Sequence, residues 1–296
     1  MRNKNLHKAK KAKQDEFYTQ IADIEKEMVY YRDYFRGKVV YCNCDDPRVS
    51  NFFYYFSYNF EKLGLKRLIA TCYKSTNGLL FRTKKEDQAV YLIYDGDKNG
   101  NRVPDLDEIE VLPLEGDGDF RSDESIELLQ QADIVVTNPP FSLFREYMAQ
   151  LIKYDKQFLI VGSMNAITYK ETFKLIKGGK VWQGVTTPKL FTVPEGYEPK
   201  NSDKIIDGQR FASFGNIIWF TNMEHKRRRE EIILFRTYAG NEQDYPTYDN
   251  YDAIEVSRVA NIPCDYTVER VVTEAELKQL KEQGFSVEIL EIIDDV

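Results

Sequence analysis

Residues 38–73, KVVYCNCDDPRVSNFFYYFSYNFEKLGLKRLIATCY, decide the predicted fold. The stretch opens with β-branched residues, turns at DDP, continues as an aromatic-rich segment that Gly64 ends, and closes with the apolar run RLIATCY. Apolar β-branched runs bounded by turn residues predict strands, and a glycine commonly follows the last turn of a helix. A strand, a helix and a second strand in this order predict a parallel sheet with a right-handed crossover.

The same alternation continues along the chain. Further strands are predicted at 133–138, 156–166, 180–186 and 214–222, and helices at 142–154 and 169–179. The apolar spacing in 15–35 predicts another helix, which Gly37 ends. A hairpin with Asp-Gly and Asn-Gly turns is expected near 77–112, and a long loop at 187–213. The predicted fold class is therefore α/β, a Rossmann-like doubly wound sheet with an inserted hairpin and loops.

Composition narrows the class of protein. Apolar residues make up 42% and charged residues 30% of the 296, as in an ordinary globular chain. No apolar run is long enough to span a membrane, and the first residues lack the apolar core of a secretory signal. The cysteines, at 42, 44, 72 and 264, are too few for a disulfide framework. Reduced thiols and a cytoplasmic location are expected.

Charge is unevenly distributed. The net charge of −7 argues mildly against a nucleic-acid partner. Cations nevertheless gather in residues 1–14, expected to be a basic disordered arm, and in HKRRR at 225–229. Such runs either track a phosphate backbone or form a solvated surface, and the residues alone leave both interpretations open.

The segment NPPF, Asn138 to Phe141, follows the buried run IVVT. In open α/β sheets, ligands bind outside the carboxyl ends of the strands. The Asn138 amide oxygen and the Pro139 carbonyl are acceptors, and the two prolines stiffen the loop without adding donors. Two fixed acceptors beside the flat ring of Phe141 suit an aromatic amine such as adenine N6, and such a base must leave the duplex to reach them. The alternative is a loop in which Pro139 and Pro140 only end the strand.

Four segments, QDEFYTQ, VVYCNCDDPRVSNFF, GDGDFRS and DIVVTNPPFSLFREY, resemble in this order the EcoRI-type adenine-specific DNA methyltransferases. The resemblance covers about residues 14–260. It implies a methyltransferase fold, S-adenosylmethionine as cofactor, double-stranded DNA as partner, and a cognate restriction endonuclease in the same system without a direct complex. It also makes residues 15–236 the catalytic domain and 237–296 a C-terminal region for DNA recognition.

The resemblance assigns roles residue by residue. The implied catalytic residues are Asn138, Pro139, Pro140 and Phe141. The implied cofactor-binding residues are Phe17, Tyr18 and Thr19, then Asn43, Asp45, Asp46 and Pro47, and finally Asp119 and Phe120. The basic run Lys226, Arg227, Arg228 and Arg229 would contact DNA phosphates, whereas sequence specificity is expected from 77–112, 187–213 and the region after 237.

Two departures from the family pattern concern the cofactor. Ser50 and Phe52 stand where that pattern has glycines, and a side chain there would block close approach of the backbone to the cofactor. The second strand, RLIATCY, ends without the acid that usually binds the ribose, so Asp45 or a residue elsewhere would have to replace it.

Other functions remain as alternatives. Because NPPF also occurs in methyltransferases of RNA and of protein glutamine, these substrates stay open, as does a non-catalytic DNA-binding protein with this fold. A calcium loop is not expected at DGDKNGNRVPDL. With Asp95 as its first position, the twelfth position is Leu106, whereas a calcium loop needs a glutamate there. No other metal site is expected, because Cys42 and Cys44 have no histidines nearby in sequence.

Overall fold

The computed structural model describes residues 18–44, 50–71, 89–193, 199, 201–230, 232–249, 253–267 and 273–282. Two compact units divide the chain, residues 1–229 and 230–296. The strands of the first unit are β1 (Tyr18–Thr19), β2 (Val39–Cys42), β3 (Arg67–Thr71), β4 (Val90–Tyr94), β5 (Ile109–Pro113), β6 (Ile134–Thr137), β7 (Gln157–Ser163), β8 (Trp182–Gln183), β9 (Leu190–Thr192), β10 (Lys204–Ile206), β11 (Gln209–Ser213) and β12 (Ile217–Thr221). Its α-helices are α1 (Ile21–Met28), α2 (Asn51–Tyr58), α3 (Phe60–Leu63), α4 (Asp123–Gln131), α5 (Phe144–Lys153) and α6 (Lys170–Lys177). In the second unit, α7 (Glu274–Glu282) follows two isolated bridges, Arg236 with Pro263 and Thr247 with Ile254.

An eight-stranded mixed sheet has the order β5-β4-β3-β2-β6-β7-β12-β8. Strands β3, β2, β6 and β7 run parallel, whereas β4, β5, β12 and β8 are antiparallel to their neighbours. We call the edge where the parallel strands end the carboxyl edge, and the edge where they begin the amino edge. The strand–helix–strand prediction for 38–73 is confirmed, and so is the hairpin, as β4 and β5.

The core lies on both faces of this sheet. Helices α1 and α2 cover one face, where Met28, Phe52 and Phe56 pack with Trp219 of β12. Helices α4 and α5 cover the other, where Leu128, Tyr147 and Leu151 are buried. Burial of the intervening strands on both sides explains why they appear as continuous apolar runs in the sequence.

The prediction of a long loop at 187–213 is wrong. Strands β9, β11 and β10 form a second sheet with β1, in the order β1-β9-β11-β10. Asp207 and Gly208 both have positive φ, 50° and 79°, as the two-residue turn between twisted strands requires. The prediction failed because these strands are short and β9 pairs with residues 18–19, far away in sequence.

The N-terminal helix is shorter than predicted. Residues 18–19 are extended, α1 begins only at Ile21, and a 3-10 turn, Arg32–Phe35, precedes Gly37 with its φ of +70°. The predicted basic arm, residues 1–14, and residues 77–88 of the predicted hairpin insertion lie outside the described residues. In the part of the chain that is described, no helix has the length and apolar character needed to cross a membrane.

Candidate active site

Asn138 lies at the point of the sheet where the chain reverses its direction of winding. From β2 the chain proceeds to β3 on one side, and from β6 to β7 on the other, so the switch point lies between the adjacent strands β2 and β6. Crevices at such points of the carboxyl edge are where open α/β sheets bind ligands. Asn43 follows β2 there and Asn138 follows β6.

The segment NPPF ends β6 abruptly. Asn138 is only 6% exposed, and Pro139 is also buried. The Pro140 carbonyl accepts the Leu143 amide at 2.9 Å, which starts a 3-10 turn, Phe141–Leu143, directly before α5. The ring of Phe141 is partly buried against the core face covered by α1 and α2. The loop therefore holds a buried amide and a half-exposed ring side by side.

Asn43 connects the two sides of the switch point. It is 4% exposed, and its carbonyl accepts a hydrogen bond from the Thr137 hydroxyl, directly before Asn138. Its side-chain oxygen accepts a second hydrogen bond from the Tyr147 hydroxyl on α5. The side-chain oxygen of Asn43, a predicted cofactor-binding residue, thus binds the helix that follows NPPF.

The first turn of α2 accounts for the departures from the glycine pattern. The Ser50 side chain caps the helix by accepting the Phe53 amide at 3.5 Å. Phe52 is 1% exposed, and its ring stands edge-on to Trp219 with the centroids 6.1 Å apart. Both side chains are therefore directed into the protein, and the blockage expected from them stays a prediction. Asp45, Asp46 and Pro47 lie outside the described residues.

Tyr18 and Thr19 reach the start of α2 from the second sheet. The Thr19 carbonyl accepts the Asn51 side-chain amide at 2.7 Å. The Thr19 hydroxyl is buried and has no hydrogen-bond partner among the described residues. A buried hydroxyl is costly unless it finds a hydrogen-bond partner. Phe17 lies outside the described residues.

Asp119 and Phe120 lie on the α4 and α5 side of the sheet. Burial acts to raise the pKa of the Asp119 carboxyl, but hydrogen bonds and charge from Arg121 outweigh it and lower the pKa. The Arg121 guanidinium contacts both carboxylate oxygens, at 2.8 and 2.6 Å. The Phe120 ring stands edge-on to Tyr147 at 5.0 Å.

The basic run lies at the opposite edge. Because β12 is antiparallel to β7, it ends at the amino edge, where Asn222 accepts the Phe158 amide at 2.9 Å. Arg228 lies 3.6 Å over the Trp182 ring and pairs with Glu224. The structure therefore does not bring residues 226–229 together with Asn138.

Sequence reasoning missed Thr137, Tyr147 and Asn51. Thr137 and Tyr147 are typical core residues of a strand and of an amphipathic helix, and nothing in their spacing indicates that their hydroxyls meet Asn43. Asn51 offers the one usable signal, a polar side chain at the first position of a predicted helix. Among the described residues, no group of three or more His, Cys, Asp or Glu side chains is arranged to hold a metal ion.

A family model described as adenine-specific methyltransferase EcoRI matches residues 5–293. The chain therefore belongs to this family of adenine-specific methyltransferases. It is 54% identical over 269 residues to the Type II methyltransferase M.EcoRI of Escherichia coli, covering 89% of this chain and 82% of the relative.

Two mycoplasma proteins are also similar. The chain is 41% identical over 267 residues to the Type II methyltransferase M.MpnI of Mycoplasma pneumoniae, covering 88% of this chain and 77% of the relative. It is 39% identical over 268 residues to M.MgeORF184P of Mycoplasma genitalium, covering 88% and 78%. No solved structure matches the chain.

Proposed function

We propose that this protein transfers a methyl group from S-adenosylmethionine to N6 of an adenine flipped out of double-stranded DNA. The observation that carries the proposal is the place of Asn138 to Phe141, at the switch point of the sheet in a chain of this family. The names of the relatives, all Type II methyltransferases, support a sequence-specific enzyme of a restriction-modification system. We propose that it acts in the cytoplasm, beside a cognate endonuclease with which it needs no direct complex.

In this proposal the NPPF loop acts by position and charge. The Asn138 side-chain oxygen and the Pro139 carbonyl accept the two hydrogens of the adenine amino group, and the Phe141 ring stacks on the base. As the lone pair of the amino nitrogen leaves conjugation with the ring to form the new bond to the methyl group, the nitrogen becomes more positive, and these fixed acceptors stabilise the developing charge. No strong base is required at this step.

The residues beside α2 fit S-adenosylmethionine, which supplies an electrophilic methyl group when bound. Its amino-acid end carries donors and acceptors that the buried Thr19 hydroxyl would satisfy. The Asp119 carboxylate, kept ionised by Arg121, is an acceptor for the amino group of the cofactor adenine. We propose that the fold is the doubly wound, Rossmann-like fold that the resemblance implies. We also propose that Asp45, Asp46 and Pro47 bind the cofactor.

DNA recognition is proposed for the second sheet, together with 77–112 and residues 237–296. The β10–β11 hairpin joins the large sheet at the carboxyl edge. Only three residues, 214–216, separate β11 from β12, and the Asn216 carbonyl accepts the Met164 amide at this edge at 2.6 Å. Ile205 and Ile206 are 65% and 43% exposed. An exposed two-stranded ribbon has the width that the DNA major groove admits.

The test is transfer of tritiated methyl from S-adenosylmethionine to unmethylated duplex DNA by the wild type and by Asn138→Ala. Label recovered as N6-methyladenine, and lost in the variant, is the expected result. Gln131→Ala, which changes an exposed amide at the end of α4, is the matched control. Label found in RNA or in protein glutamine instead, or bound cofactor without any transfer, would overturn the proposal.

A further inference from the structure

Tyr147 contacts two of the segments to which the proposed function assigns cofactor binding. It is fully buried on α5, six residues after Phe141. Its hydroxyl donates to the side-chain oxygen of Asn43, and its ring packs edge-on against Phe120. One side chain therefore touches two of the three cofactor segments from a helix that begins shortly after the target-base loop.

Thr137 completes the connection. Its hydroxyl donates to the Asn43 carbonyl, and the next residue is Asn138. The residue after Asn43, Cys44, has a φ of +78°, in the left-handed region. Because Asn43 is fixed through both its carbonyl and its side chain, its position at the end of β2 depends on Thr137 and Tyr147.

We propose that Tyr147 is a positioning residue that sets Asn43 and Phe120 in register with the Asn138 loop. The inference rests on the proposed use of S-adenosylmethionine. Tyr147 is fully buried, so it acts through Asn43 and Phe120 rather than on the substrate. Burial raises the pKa of its hydroxyl well above the ordinary value, so the group remains a neutral donor.

The experiment measures the Kd for S-adenosylmethionine by calorimetry, together with kcat and the KM for DNA. In Tyr147→Phe the ring remains but Asn43 loses a donor, so we expect the Kd to rise about tenfold, the effect of one buried hydrogen bond. We expect the KM for DNA to stay within about twofold, because the Asn138 loop is unchanged. Thr137→Val, which removes the other hydroxyl, should raise the same Kd and provides a second variant.

Tyr31→Phe is the matched control. Tyr31 is equally buried and donates one hydrogen bond, to Glu27 at 3.0 Å, so a purely structural loss would appear there too. We expect Tyr31→Phe to lower the melting temperature without raising the cofactor Kd. In the double variant Tyr147→Phe, Asn43→Ala, we expect the Kd of the Asn43→Ala single variant, because the two side chains act as one unit.

An unchanged Kd in Tyr147→Phe, an equal rise in Tyr31→Phe, or additive effects in the double variant would each overturn the proposal. A wild type that binds S-adenosylmethionine without methylating DNA would instead overturn the proposed function. In that case the Kd values alone still decide the role of Tyr147.

Discussion

Gly162 on β7 lies against the ring of Phe144 so closely that a β-carbon on the glycine would come within 2.3 Å of it. Phe144 is the first residue of α5 and follows the 3-10 turn that begins at Phe141. The Phe144 ring also packs on Phe220, with the centroids 5.0 Å apart. The start of α5, and with it the end of the NPPF loop, is therefore seated directly on the sheet.

Gly162→Ala is expected to lower both stability and activity. The added methyl group must displace Phe144, and overpacking of this kind costs about 1–3 kcal/mol. Displacement of Phe144 would also move the NPPF loop, so we expect kcat to fall more than tenfold. Urea unfolding and single-turnover methylation measure the two effects. A second change, Phe144→Leu, should restore part of both, and full activity of Gly162→Ala alone would contradict this account.

Glu27→Gln is expected to destabilise the first unit by about 2–4 kcal/mol. The buried carboxylate accepts hydrogen bonds from Tyr31, from the Val185 amide at 2.8 Å and from the Thr186 amide and hydroxyl at 2.6 and 2.5 Å. An amide nitrogen in place of one oxygen would face donors. Glu25→Gln, an exposed change on the same helix, is the control and should leave the unfolding free energy almost unaltered. Equal stability of both variants would contradict the role given to Glu27.

Ser50 gives a prediction that separates capping from loop flexibility. Ser50→Ala removes the cap of α2 and should cost about 1 kcal/mol, whereas Ser50→Gly should cost only a few tenths. Chemical denaturation of the two variants measures the difference. A larger loss with glycine than with alanine would mean that backbone freedom, and not the cap, matters at this position.

Asp119→Asn should reduce stability in a pH-dependent way. The folded-state pKa of Asp119 lies below its ordinary value. The stabilisation that the ionised Asp119 carboxylate gives the folded state is therefore fully present above the unfolded pKa of about 3.9. It is lost as the pH falls through the lower pKa of the folded state. Because the Arg121 side chain is 47% exposed, we expect Asp119→Asn to lower the free energy of unfolding by less than about 1 kcal/mol at pH 7. The measurement is urea unfolding of both proteins from pH 7 to pH 3, and a difference that grows towards pH 3 would contradict the sign.

The salt dependence of DNA binding tests whether the duplex binds at the carboxyl edge or at the amino edge of the sheet. Each lost phosphate contact lowers the slope of log K against log salt by about one. We expect this for Lys204→Gln, because the β10–β11 hairpin joins the sheet at the carboxyl edge. Arg229→Gln is the comparison from the amino edge, where phosphate contact of residues 226–229 stays a prediction. A slope change in Arg229→Gln alone would contradict the placement of DNA on the hairpin.

The predictable part of the fold is the part with buried, continuous apolar strands. Strands β2 and β3 and the helix between them follow from residues 38–73, since the turn residues and Gly64 mark their ends. The second sheet does not, because β1 and β9 have two and three residues and pair across most of the chain. Such lengths are too short for a periodic pattern to be visible.

The site divides in the same way. Asn138 to Phe141 were predicted because their chemistry is local: a strand end, two prolines and a ring. The location of residues 226–229 depends on the direction of β12, which no residue pattern specifies. The hydroxyl of Tyr147 likewise has a role only through a contact with Asn43, more than a hundred positions away in sequence.

The first turn of α2 also bears on how related chains are detected. A search that requires glycines after the first strand would pass over this chain, in which a capping Ser50 and a core-facing Phe52 stand at those positions. A pattern written as acid-Pro, then two residues, then Ser-x-aromatic describes the same loop in terms of capping and burial. Applied to uncharacterised genomes, it would recover related chains in which a capping serine and a buried aromatic residue stand in place of the glycines.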